Sequence, residues 1–262
     1  MKIIIFVKAK ILYLSLKKKM YGLIGKKLGH SFSEKIFKEK FAEKFQFILI
    51  ELESIDKLKD FITNHPTLKG FSVTIPYKKE IIPYINILDD VSKRVKAVNT
   101  VLIKRTNNSV LLYGYNTDAY GFTKAYKKLF PANCKNALII GAGGAANAVK
   151  YALNIQGINV IMVSRKKKND DIILFSELSD NIITNNKIII NATPLGMFPN
   201  VNLFPDINYK AITNQHLAID LTYNPVETMF MKKAKEYGAK TINGYNMLQQ
   251  QAEKAWKIWD LT

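Results

Sequence analysis

Two spacings of hydrophobic residues alternate along the chain from Met20 onward. Short apolar runs, which predict strands, are separated by longer segments in which apolar residues recur at the spacing of a helix. The clearest helical segment spans 31–45, where Phe37, Phe41 and Phe45 fall four residues apart. This exchange between strand and helix patterns predicts an α/β fold whose strands are joined by crossover helices.

The first half of this pattern predicts a βαβ-type unit to which a hairpin is added. Apolar runs flank Asn107 and Asn108, a pair typical of tight turns, and predict two antiparallel strands. The other elements predicted in this half are strands at 21–25, 46–52 and 70–75, and helices at 31–45, 54–63 and about 89–96. We place this domain at residues 20–115.

The second half predicts a Rossmann-like domain at residues 116–244, followed by a final helix at 245–262 that returns to the first domain. The segment 166–186 is too short and irregular for a full crossover helix, so one or two helical turns at most are expected around Ser176–Ile183. The other predicted elements are helices at 117–129 and 227–238, a glycine turn and helix at 141–154, and strands at 136–140, 158–165, 187–193, 217–221 and 241–244.

The large positive charge changes this interpretation little. The 262 residues carry a formal net charge of +18, which in other proteins often indicates nucleic acid or acidic membranes. Here the lysines are spread along predicted helix faces, and no motif typical of nucleic-acid-binding domains occurs. We therefore expect a lysine-rich composition combined with an anionic small-molecule ligand, and no nucleic acid partner.

Cysteine and histidine content argues against disulfide and metal sites. Cys134 is the single cysteine, so there is no disulfide framework, and this fits a reducing compartment. The three histidines, His30, His65 and His216, are scattered and show no metal-binding pattern. We expect a cytoplasmic protein without a metal ion.

The first nineteen residues contain a short apolar run, which is interrupted by Lys8 and Lys10. The run is too short and too charged to span a bilayer, and no small-residue cleavage site follows it. We expect the folded protein to begin at Met20, with 1–19 as an extension or the product of a misassigned start codon. No association with a membrane is expected.

A glycine-rich turn, GAGGAA at 141–146, follows an apolar strand and begins a helix. In that context the pattern predicts a dinucleotide site, because the N-terminus of the helix offers N–H groups to the phosphates. The alternative is a tight turn without a ligand. On the first interpretation Gly141 permits the turn, Gly143 lets the pyrophosphate approach, and Ala146 allows close helix packing. The predicted cofactor-binding residues of the turn are Gly141, Ala142, Gly143, Gly144 and Ala145.

The end of the following strand indicates which dinucleotide binds. NAD sites place an acidic residue there for the ribose 2′-hydroxyl, whereas here Ser164, Arg165 and Lys166 follow one another and no acid occurs before Asp170. An arginine can bind a phosphate through two parallel hydrogen bonds and stack on adenine. The pattern favours NADP(H), and a solvated basic loop is the alternative.

Nine short motifs occur in a fixed order between Met20 and the C-terminus. They are YGLIGKKLGHSFS, VTIPYK, AVNT, GYNTDAYGF, GAGGAA, SRK, NATPLGM, DLTYNP and NGYNMLQQQA. In this order they resemble the shikimate dehydrogenase family. The resemblance implies an N-terminal substrate domain, a C-terminal Rossmann-like NADP-binding domain and an active cleft between them, in which NADPH reduces 3-dehydroshikimate.

The same resemblance implies roles for residues of both domains. Lys78 and Asp118 would form the catalytic pair. Hydroxyl, amide and phenol groups would hold the substrate, at Ser31, Ser33, Thr74, Asn99, Tyr223 and Gln251. The nicotinamide side of the cleft would be lined by Asn191, Gly244 and Met247.

Most of these residues also have a purely structural interpretation. Ser31 and Ser33 precede a helix and can cap it, and Asp118 lies in a first helical turn, where a carboxylate is favourable. Gln251 is harder to explain in this way, because a buried amide needs a hydrogen-bond partner.

The motif VTIPYK ends at Lys78, and a second lysine, Lys79, follows it directly. Reducing a ketone requires a proton donor within hydrogen-bond reach of the carbonyl oxygen, and Lys78 can serve, with Asp118 orienting it. Pro76 suits the first position of a helix, which would put both lysines at the end of the helix dipole that disfavours cations. We expect Lys78 to be functional and Lys79 to be solvent-exposed.

Three features depart from the family pattern. Lys96 stands where glycine is common, Ser164-Arg165-Lys166 replaces the usual Asn-Arg-Thr, and the segment 166–190 is shorter than in many members. Two alternatives therefore stay open, a quinate/shikimate dehydrogenase with looser cofactor choice and a nucleotide-binding regulator without turnover. A monomer or a homodimer is expected.

Overall fold

The structure, a computed structural model, describes four stretches of the chain, residues 18–29, 31–41, 44–167 and 172–262. Contacts divide it into two compact units. The N-terminal unit holds the described residues up to Asn116 together with Ala255–Thr262, and the C-terminal unit is Thr117–Lys254. The predicted extension lies outside the described residues except for Lys18 and Lys19, which are exposed.

Within the described residues, the N-terminal unit is built on a mixed sheet of six strands. In chain order they are β1 (Met20–Gly25), β2 (Gln46–Glu51), β3 (Leu68–Val73), β4 (Ile87–Leu88), β5 (Thr100–Arg105) and β6 (Val110–Tyr115). Across the sheet the order is β2-β1-β3-β5-β6-β4. β1 runs parallel to β2 and β3, whereas β5 is antiparallel to β3 and β6. The predicted hairpin is confirmed as β5 and β6.

Short helices connect these strands. They are α1 (Phe32–Phe41), α2 (Leu58–Asn64), α3 (Tyr77–Glu80) and α4 (Asp90–Val95), with 3₁₀ turns at Ile55–Lys57 and Ile82–Tyr84. The apolar spacing predicted α1 and α2, because their buried side chains, such as Phe37 and Phe41 in α1, share one face. β3 ends at Val73, so Thr74 and Ile75, which were predicted as its last residues, lie beyond it.

The end of the chain packs into an aromatic cluster of the N-terminal unit. Trp259 stacks on Tyr21 with 5.1 Å between ring centroids, and its indole N–H donates to the Val101 carbonyl at 3.0 Å. Trp256 meets Phe41 edge-on at 5.1 Å. Both tryptophans are buried, so the last residues belong to the core of this unit.

The C-terminal unit contains a sheet of six parallel strands within the described part of the chain. They are β7 (Asn136–Ile140), β8 (Asn159–Ser164), β9 (Ile172–Leu174), β10 (Ile188–Asn191), β11 (Leu217–Asp220) and β12 (Lys240–Ile242). Their order is β12-β11-β10-β7-β8-β9, which is the doubly wound order of dinucleotide-binding domains. All residues of β10 and β11 are buried, as continuous apolar runs predict for a parallel sheet.

Five helices accompany this sheet in the described residues. They are α5 (Asp118–Tyr126), α6 (Gly144–Asn154), α7 (Asp180–Asn185), α8 (Met229–Glu236) and α9 (Tyr245–Ile258). The contact-based division falls inside α9, so Ala255 and the residues after it group with the N-terminal unit. The predicted boundary lay before this helix.

The segment after β8 is more regular than the sequence predicts. The expected helical turns are present as α7 and a 3₁₀ turn at Phe175–Glu177, but β9 was not predicted. Its three residues pair with β8 at the edge of the sheet, with Ile172 opposite Met162. A run this short has too few positions for a spacing pattern, so only pairing with β8 reveals it.

His216 gives the C-terminal unit a testable pH dependence. The ring is buried, and burial lowers the pKa of His216 below its usual 6.5, with Lys187 contributing in the same direction. The unfolded chain takes up a proton just below pH 6.5 and the folded chain does not. We expect the free energy of unfolding, measured by urea denaturation, to fall as the pH drops below about 6.5.

His216→Gln is expected to remove this slope. The Thr213 N–H donates to His216 Nδ1 at 3.0 Å, and Nε2 lies 3.2 Å from the Ile183 carbonyl, which is the arrangement of a neutral ring protonated at Nε2. His65→Gln, a change in the other unit, is the control and should leave the slope in place. An identical slope in wild type and His216→Gln would contradict this assignment.

Candidate active site

Strand ends meet at one edge of the N-terminal sheet and carry predicted site residues. β1 and β3 are parallel, so their carboxyl ends lie side by side, with Ile24 paired to Val73. The Thr74 N–H donates to the Ile24 carbonyl at 2.8 Å, and the Val73 N–H donates to the Asn99 carbonyl at 2.8 Å. Main-chain bonds therefore fix Thr74 and Asn99 at the same edge.

Ser31 and Ser33 stand at the start of α1, which follows the loop after β1. The Ser33 N–H donates to Ser31 Oγ at 3.2 Å, so the cap interpretation is confirmed for Ser31. Accepting this bond leaves the Ser31 hydroxyl its hydrogen to donate. The loop itself is tied to the end of β2, because the Leu28 N–H donates to the Glu51 carboxylate at 2.6 Å.

Lys78 lies in α3, and its main chain is held firmly. The Lys78 carbonyl accepts a hydrogen bond from the Val98 N–H at 2.7 Å. The neighbouring Tyr77 is buried, and its hydroxyl donates to the Leu52 carbonyl. α3 is thereby fixed between the segments that follow β2 and precede β5, which fixes the Cα from which the lysine side chain extends.

Two expectations about this lysine pair were wrong. Lys79 is half-buried, as Lys78 is, so exposure does not separate them. Pro76 occupies the N-cap position, and α3 has four residues, so both lysines lie in its last turn as well as its first. A dipole penalty cannot be assigned to one end of so short a helix.

Asn99 is almost fully buried beside the edge formed by β3 and β5. The Thr100 hydroxyl donates to Asn99 Oδ1 at 3.3 Å. A second buried amide at this edge, Asn116, donates from Nδ2 to the Ala97 carbonyl at 3.0 Å. Asn116 was not predicted from the sequence, although a polar residue directly after the apolar strand β6 is a usable signal.

Asp118 is the first residue of α5 and is buried, with 4% of its surface exposed. This confirms its predicted place in a first helical turn, where a carboxylate favours the helix. The division of the chain assigns Lys78 to the N-terminal unit and Asp118 to the C-terminal unit. Their pairing stays a prediction.

Gln251 on α9 finds hydrogen-bond partners within the C-terminal unit. The Thr117 hydroxyl lies 3.3 Å from Gln251 Oε1 and donates to it, while Gln251 Nε2 donates to the Leu248 carbonyl at 3.0 Å. Gly121 makes this possible, since a Cβ there would lie 2.8 Å from the Cβ of Gln251. The missing side chain at Gly121 lets α5 and α9 pack closely enough to set the position of Gln251.

The predicted phosphate turn lies where the strand order of the C-terminal sheet reverses, between β7 and β10. Gly141 adopts φ of 119°, and a Cβ there would come within 3.1 Å of the Ala192 carbonyl group, so the turn requires glycine. Ala146 is fully buried in α6, as its predicted packing role requires. Ligands of doubly wound sheets bind outside the carboxyl ends of the strands at this reversal.

The next residues of the turn leave room for a ligand. Gly143 is exposed at the N-cap position of α6, and a Cβ built on it would meet no protein atom within 4 Å. The protein fold alone does not require glycine here, whereas a pyrophosphate approaching the main chain would. Gly144 and Ala145 are the first two residues of α6, and Ala142 completes the turn.

The residues that follow β8 present positive charge. Ser164 is the last residue of the strand and pairs with Leu174 of β9. Arg165 and Lys166 follow it and are exposed. The described residues of this loop carry no acidic group, and Asp170 lies outside them.

Asn191, at the end of β10, is fully buried and bonded within the protein. Its side-chain oxygen accepts from the main-chain N–H and the hydroxyl of Thr193, and its nitrogen donates to the Leu195 carbonyl and to Asp220. Any effect of Asn191 on a cofactor therefore acts through the loop that it holds. Asp220, at the end of β11, was not singled out from the sequence.

Tyr223, Gly244 and Met247 lie on neighbouring segments of the C-terminal unit. Tyr223 is half-buried, and burial raises the pKa of its phenol, which keeps the hydroxyl protonated and able to donate at neutral pH. The Gly244 N–H donates to the Thr222 carbonyl at 2.9 Å. Met247 is buried in the first turns of α9.

Among the described residues, no group of three or more histidine, cysteine, aspartate or glutamate side chains is placed to hold a metal ion. None of the helices in these stretches is both long and apolar enough to cross a bilayer.

Comparison with known proteins agrees with the motifs and the fold. A model of the shikimate dehydrogenase substrate binding domain matches residues 23–101. A Clostridium beijerinckii protein named shikimate dehydrogenase (NADP(+)) is 40% identical over 251 residues, covering 91% of this chain and 91% of that protein.

Two solved structures match over nearly the full chain. Shikimate dehydrogenase 1 from Peptoclostridium difficile is 36% identical with a TM-score of 0.80, covering 93% of this chain and 92% of that one. A shikimate dehydrogenase crystallised with NADP⁺ is 32% identical with a TM-score of 0.78, covering 93% and 90%. The resemblance seen in the motifs is confirmed, and the chain belongs to the shikimate dehydrogenase family.

Proposed function

We propose that this chain catalyses the reversible, NADPH-dependent reduction of 3-dehydroshikimate to shikimate, a step towards chorismate and the aromatic amino acids. The observation that carries the proposal is the phosphate turn of a doubly wound sheet, in which Gly143 leaves open space at the N-terminus of α6. Relatives with this activity in their names match more than nine-tenths of the chain.

The residues present fit NADP(H), which supplies the hydride when bound. The first turn of α6 offers main-chain N–H groups to the pyrophosphate through Gly143, Gly144 and Ala145. Arg165 and Lys166 are exposed directly after β8, where the ribose 2′-phosphate requires cations. The nicotinamide side of the proposed cofactor site is formed by Asn191, Gly244 and Met247.

We assign the substrate contacts by chemical complementarity. The hydroxyls of Ser31 and Ser33 donate to the substrate carboxylate, and Tyr223 contributes its phenol hydrogen. Thr74, Asn99 and Gln251 bind the ring hydroxyls. Asn99 and Thr74 suit this task because the main chain fixes both at one sheet edge.

Lys78 is the proposed proton donor. As hydride reaches the carbonyl carbon, the electron pair of the C=O bond moves to oxygen, and the Lys78 ammonium stabilises that charge and transfers a proton to it. The neutral amine accepts the proton in the reverse reaction. Asp118 orients the ammonium and a substrate hydroxyl.

The working form and location of the protein are also proposals. We propose that it acts in the cytoplasm as a monomer or homodimer and binds no nucleic acid. Its net charge of +18 then favours the binding of anionic small molecules rather than of nucleic acid.

An assay with two substrates and two cofactors tests the proposed activity. Initial rates are measured by the absorbance of reduced nicotinamide, with shikimate or quinate as substrate and NADP⁺ or NAD⁺ as acceptor. We expect the highest kcat/KM with shikimate and NADP⁺. Comparable rates with quinate or NAD⁺ would favour the looser quinate/shikimate alternative, and no turnover with any pair would favour a regulator.

Gly244→Ala is expected to lower the free energy of unfolding by about 1–3 kcal/mol. A Cβ at Gly244 would lie 2.0 Å from the Leu221 carbonyl oxygen and 2.6 Å from its carbon. Both are main-chain atoms, so relief requires the segment that carries Tyr223 to move. Urea denaturation measures the loss, and kcat should fall with it.

Gly143→Ala is the matched control, because an added Cβ meets no protein atom within 4 Å. We expect unchanged stability but weaker binding of NADPH, measured by its fluorescence. Equal stability losses in the two variants, or NADPH binding that Gly143→Ala leaves intact, would contradict the roles given to these glycines.

A further inference from the structure

A buried carboxylate lies at the end of β11, in the sheet that we propose binds the cofactor. Asp220 has none of its surface exposed. Its Oδ2 accepts from the Thr228 hydroxyl at 2.6 Å and from Asn191 Nδ2 at 3.1 Å, and its Oδ1 accepts from the Thr222 N–H at 2.9 Å. Burial raises the pKa of Asp220, while these donors act in the opposite direction. The proposed mechanism gives this carboxyl group no task.

One branch of these contacts leads to the phosphate turn. Asn191 Oδ1 accepts from the Thr193 N–H at 3.1 Å and from the Thr193 hydroxyl at 2.6 Å. All of the amide's donors and acceptors are then used, so its orientation is fixed. Ala192 and Thr193 pack against Gly141, where an added Cβ would lie 3.1 Å and 3.3 Å from them.

The other branch leads to the segment that carries Tyr223. Thr228 donates to Asp220 and also caps α8, since its Oγ accepts from the Met231 N–H at 3.4 Å. Thr222, bonded to Asp220 through its N–H, accepts from the Gly244 N–H through its carbonyl at 2.9 Å. A single carboxylate thus bonds directly to the loop after β11 and, through Asn191, connects to the loop after β10.

We propose that Asp220 is a positioning residue that sets the nicotinamide half of the cofactor site by joining the loops after β10 and β11. The inference rests on the proposed function. Asp220 reaches the phosphate turn indirectly, through Asn191 and the packing of Thr193 against Gly141, whereas it bonds directly to Thr222, the neighbour of Tyr223. We therefore expect Asp220 to govern the alignment for hydride transfer more than overall cofactor affinity.

Asp220→Asn tests this. All the groups bonded to this carboxylate are donors, so the NH₂ group of the new amide faces either the Thr222 N–H or the donors of Asn191 and Thr228. The donors it faces lose their acceptor with no change in side-chain size. We expect kcat for shikimate oxidation to fall about a hundredfold, the cost of a misplacement of about 1 Å. Adenosine 2′,5′-bisphosphate is a probe of the adenosine half alone. Its dissociation constant should stay within about twofold of the wild-type value.

Tyr209→Phe is the matched control. It removes another buried hydrogen bond of the same unit, from the Tyr209 hydroxyl to the Pro205 carbonyl at 2.9 Å, and this bond involves none of the residues that bond to Asp220. It should lower stability while leaving kcat near wild type. Equal kcat in Asp220→Asn and wild type, or equal losses of kcat in Asp220→Asn and Tyr209→Phe, would overturn the proposal.

If Asp220→Asn does not fold, two milder substitutions at Thr193 test the same proposal. Thr193→Val removes the hydroxyl that donates to Asn191, and Thr193→Ser keeps it. We expect a lower kcat only for the valine variant, with serine restoring it, and equal kcat values would overturn the proposal. A wild-type protein without turnover would instead refute the proposed function itself.

Discussion

Replacing Lys78 with alanine is expected to lower kcat by about 10²–10⁴-fold, the range that a general acid contributes. The KM for shikimate should change little, because hydroxyl and amide groups hold the substrate in our assignment. The fold should survive, since the Lys78 carbonyl and the Tyr77 hydroxyl anchor α3, and both groups stay in the variant. Steady-state kinetics and urea denaturation of the same preparation separate these effects.

Lys79→Ala is the control for this prediction, and it is a demanding one. Both lysines are half-buried in the same four-residue helix, so they are matched in charge and in burial. We expect Lys79→Ala to keep kcat near wild type. Similar losses in the two variants would show that charge in α3, rather than one positioned ammonium, supports the reaction.

Trp259→Ala is expected to have the largest effect on stability, about 3–5 kcal/mol in the free energy of unfolding. The ring fills the space above Gly70, where an added Cβ would lie 2.5 Å from the indole nitrogen, and it stacks on Tyr21. Removing it leaves a cavity in the N-terminal core and deletes the indole hydrogen bond to the Val101 carbonyl. Thermal or urea denaturation measures the loss.

Trp259→Phe separates the contribution of the aromatic ring from that of the hydrogen bond to the Val101 carbonyl. The variant keeps an aromatic ring beside Tyr21 but cannot donate to the Val101 carbonyl, so we expect it to recover most of the stability. A Trp259→Ala protein as stable as wild type would mean that the chain end contributes nothing to the core.

The sequence predicts most of this fold because each long element has a complete spacing pattern. α1 could be placed from its phenylalanines, and β10 and β11 from continuous apolar runs that a parallel sheet buries on both faces. The glycine turn was recognisable because GAGGAA occurs between a strand and a helix. These signals are local, so a single sequence contains them.

What could not be predicted depends on partners distant in the chain. β9 exists through its pairing with β8, and the burial of Lys79 depends on how α3 packs. Asp220 bonds to Asn191, which lies 29 residues away in the chain, as well as to Thr222 and Thr228 of its own loop, and no local pattern marks it. Motif resemblance, not spacing, supplied the roles of Lys78 and Asp118, and kinetics of variants must test them.

The most direct test follows the hydride itself. The purified protein is incubated with 3-dehydroshikimate and NADPH that carries deuterium on the transferable carbon of its nicotinamide ring, using each of the two labelled epimers in turn. With one epimer we predict shikimate with a deuterium on the newly formed carbinol carbon, formed in step with NADP⁺. Recovery of unreacted 3-dehydroshikimate with both epimers would contradict the proposed function.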